Sequence, residues 1–413
     1  MTNNDFFSQV LGLTPPWRVS NVDADLDQGV VHVYVDHDAS LGRLRCSTCG
    51  RECSGYDRQE QRYWRHLDLF QYATYLVCSL PRVECPVDGV RPAQAPWTEP
   101  NSRFTILFEH WAIAVLQATG VQQRAAQLLR LSPDQVRRIM HRAVNRGLAR
   151  RDRDAPIRHA WLDEKSIGSG HQYATILGNT TLGCVIDVIE NRTTEATKTL
   201  LKGSLSQTQR DRIECISMDL WRPFANAVRA IVPKADIAHD RFHVAGYLTK
   251  ALDDTRKAEH ARLAKKGTTS LKGSKYLWLT NEDKLADEQK AFLDALAHQA
   301  LETPKVWAFK EAFREFFKTD TVEQAEAFFD NWYEAAIRLG NRYLTKVANM
   351  LKKHLTGLTA YVKHKATNAV AEAMNANIQL VKARARGYRT FHNFRIAILF
   401  FHGKLMLNPY KTL

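Results

Sequence analysis

Residues 159–189 read HAWLDEKSIGSGHQYATILGNTTLGCVIDVI, and after a polar stretch residues 215–219 read CISMD. The apolar runs His159 to Asp163, Tyr173 to Leu177 and Cys184 to Ile189 have the length of strands and are separated by glycine or asparagine turns, which predicts a three-stranded meander. A helical stretch from Thr194 to Leu201, a strand Cys215 to Asp219, a helix from Pro223 to Ile231 and a last strand around Ile237-Ala238 follow. The order is βββαβαβ. Asp163 closes the first of these strands and Asp219 the fourth. If the two strands lie side by side, both carboxylates emerge at one edge of the sheet.

Two carboxylates held close do not both stay ionised without compensation, and a divalent cation supplies it. Oxygen ligands favour Mg2+ (or Mn2+). A pair of such ions about 4 Å apart activates a water or a 3′-hydroxyl on one side of a phosphodiester and stabilises the leaving oxygen on the other. Glu372 is the candidate third carboxylate, on a helix predicted over Asn368 to Lys382, with Asn368 and Asn375 about one turn to either side. The basic residues Lys382, Arg384, Arg386 and Arg389 follow and suit DNA phosphate. Singly, a strand-end aspartate is a common turn residue and a helical glutamate is usually solvated. The joint arrangement carries the reading, with Glu164, Asp187 and Asp240 as rival ligands. The βββαβαβ order is that of RNase H-like cores, an analogy of fold that fixes no function by itself.

Upstream, Cys46-Ser-Thr-Cys49-Gly50 and Cys85-Pro-Val-Asp88-Gly89 share one shape, two ligand types spaced by two residues in a turn closed by glycine. This is how a zinc ribbon grips Zn2+, with Asp88 where a fourth cysteine is expected. Cys53, Cys78 and His66 are the alternative fourth ligands. A helix beginning near Phe104 places Ile106, Leu107, Trp111 and Val115 at helical spacing and stops at Gly120. Gln122 to Leu129 forms a second helix, and Ser132-Pro133-Asp134-Gln135 opens a third with a capping box. This is a helix-turn-helix pattern. Val136, Ile139, Met140 and Ala143 would face its core, leaving Gln135, Arg137, Arg138, His141, Arg142 and Arg146 outward for phosphates and base edges.

The chain has 413 residues, and 58 Lys and Arg against 44 Asp and Glu give a formal charge of +14, which suits a polyanionic partner. The N-terminus MTNNDFFSQVLGL lacks a secretion signal, and no apolar run approaches the roughly 20 residues of a membrane span, so a cytoplasmic protein at the bacterial nucleoid is expected. Of seven cysteines, five lie between Cys46 and Cys85, which in a reducing compartment points to metal; Cys184 and Cys215 read as core.

These residues, with Arg62-Tyr-Trp64-Arg65-His66-Leu67-Asp68, Asp163-Glu164-Lys165, Met218-Asp219-Leu220-Trp221, Asp240-Arg241-Phe242-His243 and Asn368-Ala-Val-Ala-Glu372-Ala-Met-Asn375, resemble the ISL-three (ISL3) family of bacterial insertion-sequence transposases over nearly the whole chain. The chain departs from the family at Asp88, where cysteine or histidine is frequent, and at Ala373, where glycine is. The resemblance implies an α/β multidomain protein: a zinc-ribbon-like domain over 1–97, a helix-turn-helix domain over 98–150, an RNase H-like core (βββαβαβα) over 155–243 and 366–413, and an all-helical insertion over 244–365. It implies transposition, with Asp163, Asp219 and Glu372 as catalytic metal ligands. Double-stranded DNA, as terminal inverted repeats and as target, would be the partner of a homodimer. By the same analogy, Trp278, Trp307 and Trp332 draw attention as stacking platforms for a flipped base, against their simpler reading as core. The alternatives are a non-catalytic DNA-binding regulator derived from a transposase, and an RNase H-like nuclease.

Overall fold

Thr2 and Asp5 cap each other's backbone and start α1 (Asn3–Val10), a helix the sequence reading does not anticipate. The strands β1 (Trp17–Asp25), β2 (Val30–His37), β3 (Leu44–Arg45), β4 (Glu52–Arg58), β5 (Arg62–Arg65), β6 (Ala73–Cys78), β7 (Pro81–Cys85) and β8 (Gly89–Pro92) form two four-stranded sheets, β1-β2-β6-β5 and β3-β4-β7-β8. Val31, Val33 and Val35 alternate inward along β2, and one core joins them to Trp17, Trp64, Trp97, Cys46 and Cys85. The computed structural model describes residues 2–168, 172–268, 271–297, 301–365 and 369–409. It divides into two compact units, one of residues 1–151, 384–386 and 405–413, the other of residues 152–383 and 387–404.

The first unit also holds α2 (Ile106–Thr119), α3 (Gln122–Leu129) and α4 (Pro133–Ala149). Thr105 caps α2 and Gly120, at φ 63°, ends it in the left-handed region. Phe108, Ala112, Val115 and Leu116 are buried, whereas Trp111 is 54% exposed, so the core face differs from the expected one. The reason is that α2 carries apolar residues on nearly every side, and spacing alone does not select a face. The expected capping box of Ser132 and Gln135 opens α4, which buries Val136, Ile139, Met140 and Ala143 as its spacing predicts.

In the second unit β9 (His159–Ser166), β10 (Tyr173–Asn179), β11 (Cys184–Glu190), β12 (Cys215–Met218) and β13 (Asp236–His239) make one sheet of order β11-β10-β9-β12-β13. β10 runs antiparallel to both its neighbours, and β9, β12 and β13 run parallel. Residues Leu162, Leu177 and Ile216 share an apolar core with Leu200 of α5 (Thr194–Ser204) and Phe224 of α7 (Arg222–Ile231). The short α6 (Gln207–Arg212) between them is not foreseen from the sequence.

The long helical stretch comprises α8 (Arg241–Ala264), α9 (Lys275–Leu279), α10 (Asp287–Ala297), α11 (Glu302–Ala312), α12 (Val322–Leu339), α13 (Arg342–Lys353) and α14 (Leu355–His364). Its core includes Leu252, Trp278, Phe313, Phe316, Phe329 and Leu344. Ala360 and Tyr361 of α14 also pack with Ala238 of β13 and Cys215 of β12, so this last helix lies on the sheet although the sequence reading counts it with the helical stretch. α15 (Ala369–Arg384) and α16 (Phe391–His402) complete the unit, α16 against β11. Asn368, expected to begin the Glu372 helix, lies outside the described residues. Among the described residues, no helix is long and apolar enough to cross a membrane.

Candidate active site

Ser217 of β12 pairs with Trp161 of β9, so two residues further along these parallel strands Asp219 comes level with Asp163. Met218 pairs with His239, so one residue further Asp240 comes level with Asp219. Asp219 and Asp240 thus follow the last residues of β12 and β13, and Asp163 stands level with them inside β9, which the sequence expects to close there but which runs three residues further, to Ser166, paired with β10. Asp163 Oδ1 accepts the Glu164 amide at 2.7 Å, and its Oδ2 accepts the side-chain amide of Asn375 from α15. That bond fixes the turn of α15 carrying Glu372, three residues earlier on the same helical face. Asp240 is 3% exposed and caps α8 through Phe242 N at 2.9 Å. His243, one turn along α8, stands between the acids, Nδ1 3.3 Å from Asp219 and Nε2 3.7 Å from Asp240.

Burial pushes the Asp163 carboxyl above its ordinary range, and the Asp240 charge adds to this against the bonds from Glu164 and Asn375. Glu372 is raised by partial desolvation and then by Asp240, opposed by Arg241 and His243. The Asp240 charge therefore reaches both. The acids lie more widely than one ion's ligand shell: among the described residues, three or more His, Cys, Asp or Glu side chains have ligand atoms within 4.8 Å of one another at Cys46, Cys49, Cys85 and Asp88 and at His159, Glu214 and His364, not here. An all-carboxylate donor set fits a hard divalent cation by its chemistry.

Two rival ligands are occupied elsewhere. Glu164 pairs with Arg192, and Asp187 receives Arg395 at 2.6 and 2.9 Å together with Ser204 at 3.2 Å. Asp240 remains at the site. The three tryptophans belong to the helical core: Trp278 is 1% exposed and donates to Ser274, Trp332 is buried and donates to the Phe309 carbonyl, and Trp307 is half-buried beside Trp278. Packing, not presentation to a base, explains them. Lys382 and Arg389 line one cavity of about 190 Å³ with Glu190 and Tyr388, and Arg384 and Arg386 are exposed.

The ribbon ligands converge as their spacing implies. Cys46 Sγ lies 3.5 Å from Asp88 Oδ2, Cys85 Sγ 3.5 Å from the same oxygen, and Cys49 Sγ 3.5 Å from Cys85 Sγ. The two turns close at Gly50 and Gly89, with φ of 73° and 70°, a backbone region that favours glycine. A hydrogen bond to the Asp88 carboxylate pushes the Cys49 thiol up to about 12, and a Zn2+ ion would displace that proton. Of the alternative fourth ligands, His66 is bonded to Thr105 Oγ1 at 2.9 Å, Cys78 is buried within β6, and Cys53 bonds the Arg51 carbonyl. The donor chemistry, three sulfurs and a carboxylate, fits structural zinc.

On α4 the outward face is smaller than expected. Arg142 binds Glu109 at 2.8 Å, and Arg146, whose side chain is 8% exposed, binds both Glu99 and Glu109. Glu109 is a buried carboxylate in the first turn of apolar α2, and it draws both guanidiniums inward. Gln135 is exposed but engaged in the cap, Arg137 pairs with Asp134, Arg138 is exposed and His141 is half-buried. Glu109→Ala is expected to lower the stability of this unit by about 2–3 kcal/mol, because Arg142 loses this carboxylate and the buried Arg146 keeps only Glu99. Urea denaturation followed by circular dichroism measures it, and a loss under about 1 kcal/mol would contradict the account.

Family comparisons cover the same segments. Residues 161–398 match a family described as "Transposase", residues 93–144 the "Helix-turn-helix domain of transposase family ISL3", and residues 43–88 the "zinc-finger of transposase IS204/IS1001/IS1096/IS1165". The chain is 27% identical over 395 residues to the "Transposase for insertion sequence element IS1001" of Bordetella parapertussis, covering 94% of this chain and 96% of that protein. It is 26% identical over 417 residues to the "Transposase for insertion sequence element IS1557" of Mycobacterium tuberculosis, covering 94% and 93%.

Proposed function

The chain belongs to the ISL3 family of transposases, and from that premise we propose that Asp163, Asp219 and Glu372 hold the divalent ions, Mg2+ or Mn2+, with which it cuts and rejoins DNA. The observation that carries this reading is the strand register, which brings Asp163 and Asp219 level, together with the Asn375–Asp163 bond that ties the Glu372 helix to them. The order β11-β10-β9-β12-β13, with one antiparallel strand, supports an RNase H-like core. In this reading the ribbon spans 1–97, the helix-turn-helix 98–150 and the helical insertion 244–365 without α14. The core comprises 155–243 and 366–404 together with α14, which the sequence counts in the insertion but which packs on the sheet, while 405–413 belong to the first unit.

Bound ions supply activation of the attacking water or 3′-hydroxyl and stabilisation of the leaving oxygen. The chain's own part is positional. Asn375 holds one Asp163 oxygen so that the other points consistently, Asp240 keeps the site negative, and His243 lies close enough to Asp219 to set its orientation. Lys382 and Arg389 suit the DNA backbone nearby. Incubated with Mg2+ and DNA carrying the element's terminal inverted repeats, the protein is expected to cleave at their boundary and join the new 3′-hydroxyl to target DNA. Binding without cleavage in either ion would favour a regulator instead. A homodimer holding two ends belongs to this proposal, and light scattering on end DNA should show two chains per pair of ends.

Arg138 is the arginine of α4 placed most freely for DNA in this reading. Arg138→Ala is expected to weaken end binding and to reduce the slope of log affinity against log salt by about one, the signature of one lost phosphate contact. An unchanged binding curve at several salt concentrations removes α4 from the interface.

The raised carboxyls of Asp163 and Glu372 set a pH dependence. A group raised in the folded state stabilises the metal-free fold below its unfolded pKa and loses that contribution as pH rises through the folded value. Protons and cations compete for the same oxygens, so Mn2+ affinity should rise with pH through that raised range. Calorimetric titration of Mn2+ across weakly acidic to neutral pH tests this, and a flat affinity would exclude both acids from the ligand set.

A further inference from the structure

The opposite end of the five-stranded sheet carries a second cluster. His159 opens β9, Glu214 immediately precedes β12 and Asp236 opens β13, and the registers set Cys215 level with both His159 and Asp236. The last turn of α14 brings His364 to the same place. Ligand atoms of His159, Glu214 and His364 lie within 4.8 Å of one another. His364 Nε2 is 2.8 Å from Asp236 Oδ2, His159 Nε2 is 3.9 Å from Glu214 Oε2, and the two rings meet edge to face at 5.6 Å.

We propose that His159, His364 and Glu214 form a binding site for a divalent transition metal of the zinc class, with Asp236 bonded to the His364 ring and orienting it. Two imidazole nitrogens and one Glu214 carboxylate oxygen make up the donor set. Mixed nitrogen and oxygen donors suit Zn2+ and neighbouring first-row ions, whereas Mg2+ prefers oxygen throughout. Arg158 binds Glu214 at 2.6 and 3.1 Å, and Lys363 binds Asp236 at 2.8 Å. A carboxylate has about four lone-pair sites, so these contacts hold the oxygens in place and leave sites on Glu214 for an ion. The ion would pin the starts of β9 and β12 to the end of α14.

The test is metal content of the full-length chain carrying Asp163→Asn and Asp219→Asn, which weakens the acids at the other sheet end. After equilibration with Zn2+ and dialysis, two ions per chain are expected, one of them at the ribbon. Adding His159→Ala and His364→Ala should remove one equivalent. In the Co2+ form these changes should leave the ribbon's thiolate charge-transfer absorption intact and abolish the absorption of the nitrogen–oxygen site. Glu214→Gln, which keeps the side-chain shape, should weaken that second ion at least about tenfold, guarding against misfolding of the double histidine variant. One zinc per chain before the histidines are changed, or two both before and after, would overturn the proposal. Neither result touches the reading of Asp163, Asp219 and Glu372.

Discussion

Asp219→Asn is expected to slow cleavage of the element ends by at least about a thousandfold while leaving end binding within about twofold. Asp219 is half-buried, one oxygen accepting the Leu220 amide at 2.5 Å and facing His243 at 3.3 Å. Asparagine has the same size and keeps an oxygen for the Leu220 amide, so the sheet end should stay folded. What disappears is one full negative charge from the ligand set. Metal-supplied stabilisation of a phosphodiester transition state is worth several kcal/mol, and each 1.36 kcal/mol is a factor of ten. His243→Ala should cost much less, about tenfold, because in this account it positions Asp219 without holding the ion. If the two variants fell equally, His243 would have to be moved from orienting Asp219 into the reaction itself. Retention of cleavage within tenfold by Asp219→Asn, measured on end DNA with Mg2+ and with binding verified, would sink the assignment.

Much of this site is legible before any coordinates, because it depends on local pattern and strand order. An aspartate closing an apolar run marks the strand ends before Asp219 and Asp240, whereas β9 runs on past Asp163 to Ser166 through its pairing with β10, and the βββαβαβ order makes the first and fourth strands neighbours. The same information places Asp240 next to them, since it ends the fifth. It does not separate Asp240 from Glu164 or Asp187, whose occupation by Arg192 and Arg395 depends on contacts made across long stretches of chain. His243 is missed as a group between the acids for a related reason. Its position one helical turn beyond Asp240 signals that the two share a face, but only the packing of α8 aims that face at Asp219. The recognition helix shows the converse failure. Arg142 and Arg146 read as outward by helical period, yet Glu109, lost among apolar neighbours in α2, turns them in. A charged residue inside an apolar helix is the signal that two nearby cations are spoken for. In the same way the tryptophans follow the helical core because a large ring is seldom left exposed when a neighbouring helix can cover it.

Removing zinc from the ribbon is expected to unfold β3, β4, β7 and β8 as a unit. These strands are short, β3 only two residues, and few of their side chains besides Leu44, Cys53, Val83 and Cys85 are buried. Such a sheet gains little from apolar burial, and an apparent zinc contribution of about 10–16 kcal/mol rivals the whole stability of an ordinary domain, about 5–15 kcal/mol. Cys46, Cys53 and Cys85 share one core with Trp64, Trp97 and Val33, so loosening should spread into β1-β2-β6-β5. Hydrogen exchange after chelation should show protection lost over 44–92 while β9 to β13 keep theirs. The identity of the fourth ligand separates two further variants. Asp88→Ala removes an oxygen that lies 3.5 Å from both Cys46 and Cys85 and should weaken zinc by about ten- to a hundredfold. Asp88→Cys supplies a softer thiolate at the same turn position and should tighten it. Binding must also displace the proton that the Cys49 thiol, pushed up to about 12 by Asp88, holds in the metal-free chain, so zinc affinity should fall as pH falls. Unchanged exchange after chelation, with zinc loss verified, would mean that the two sheets hold the turns together without the ion and that Asp88 serves the fold rather than the metal.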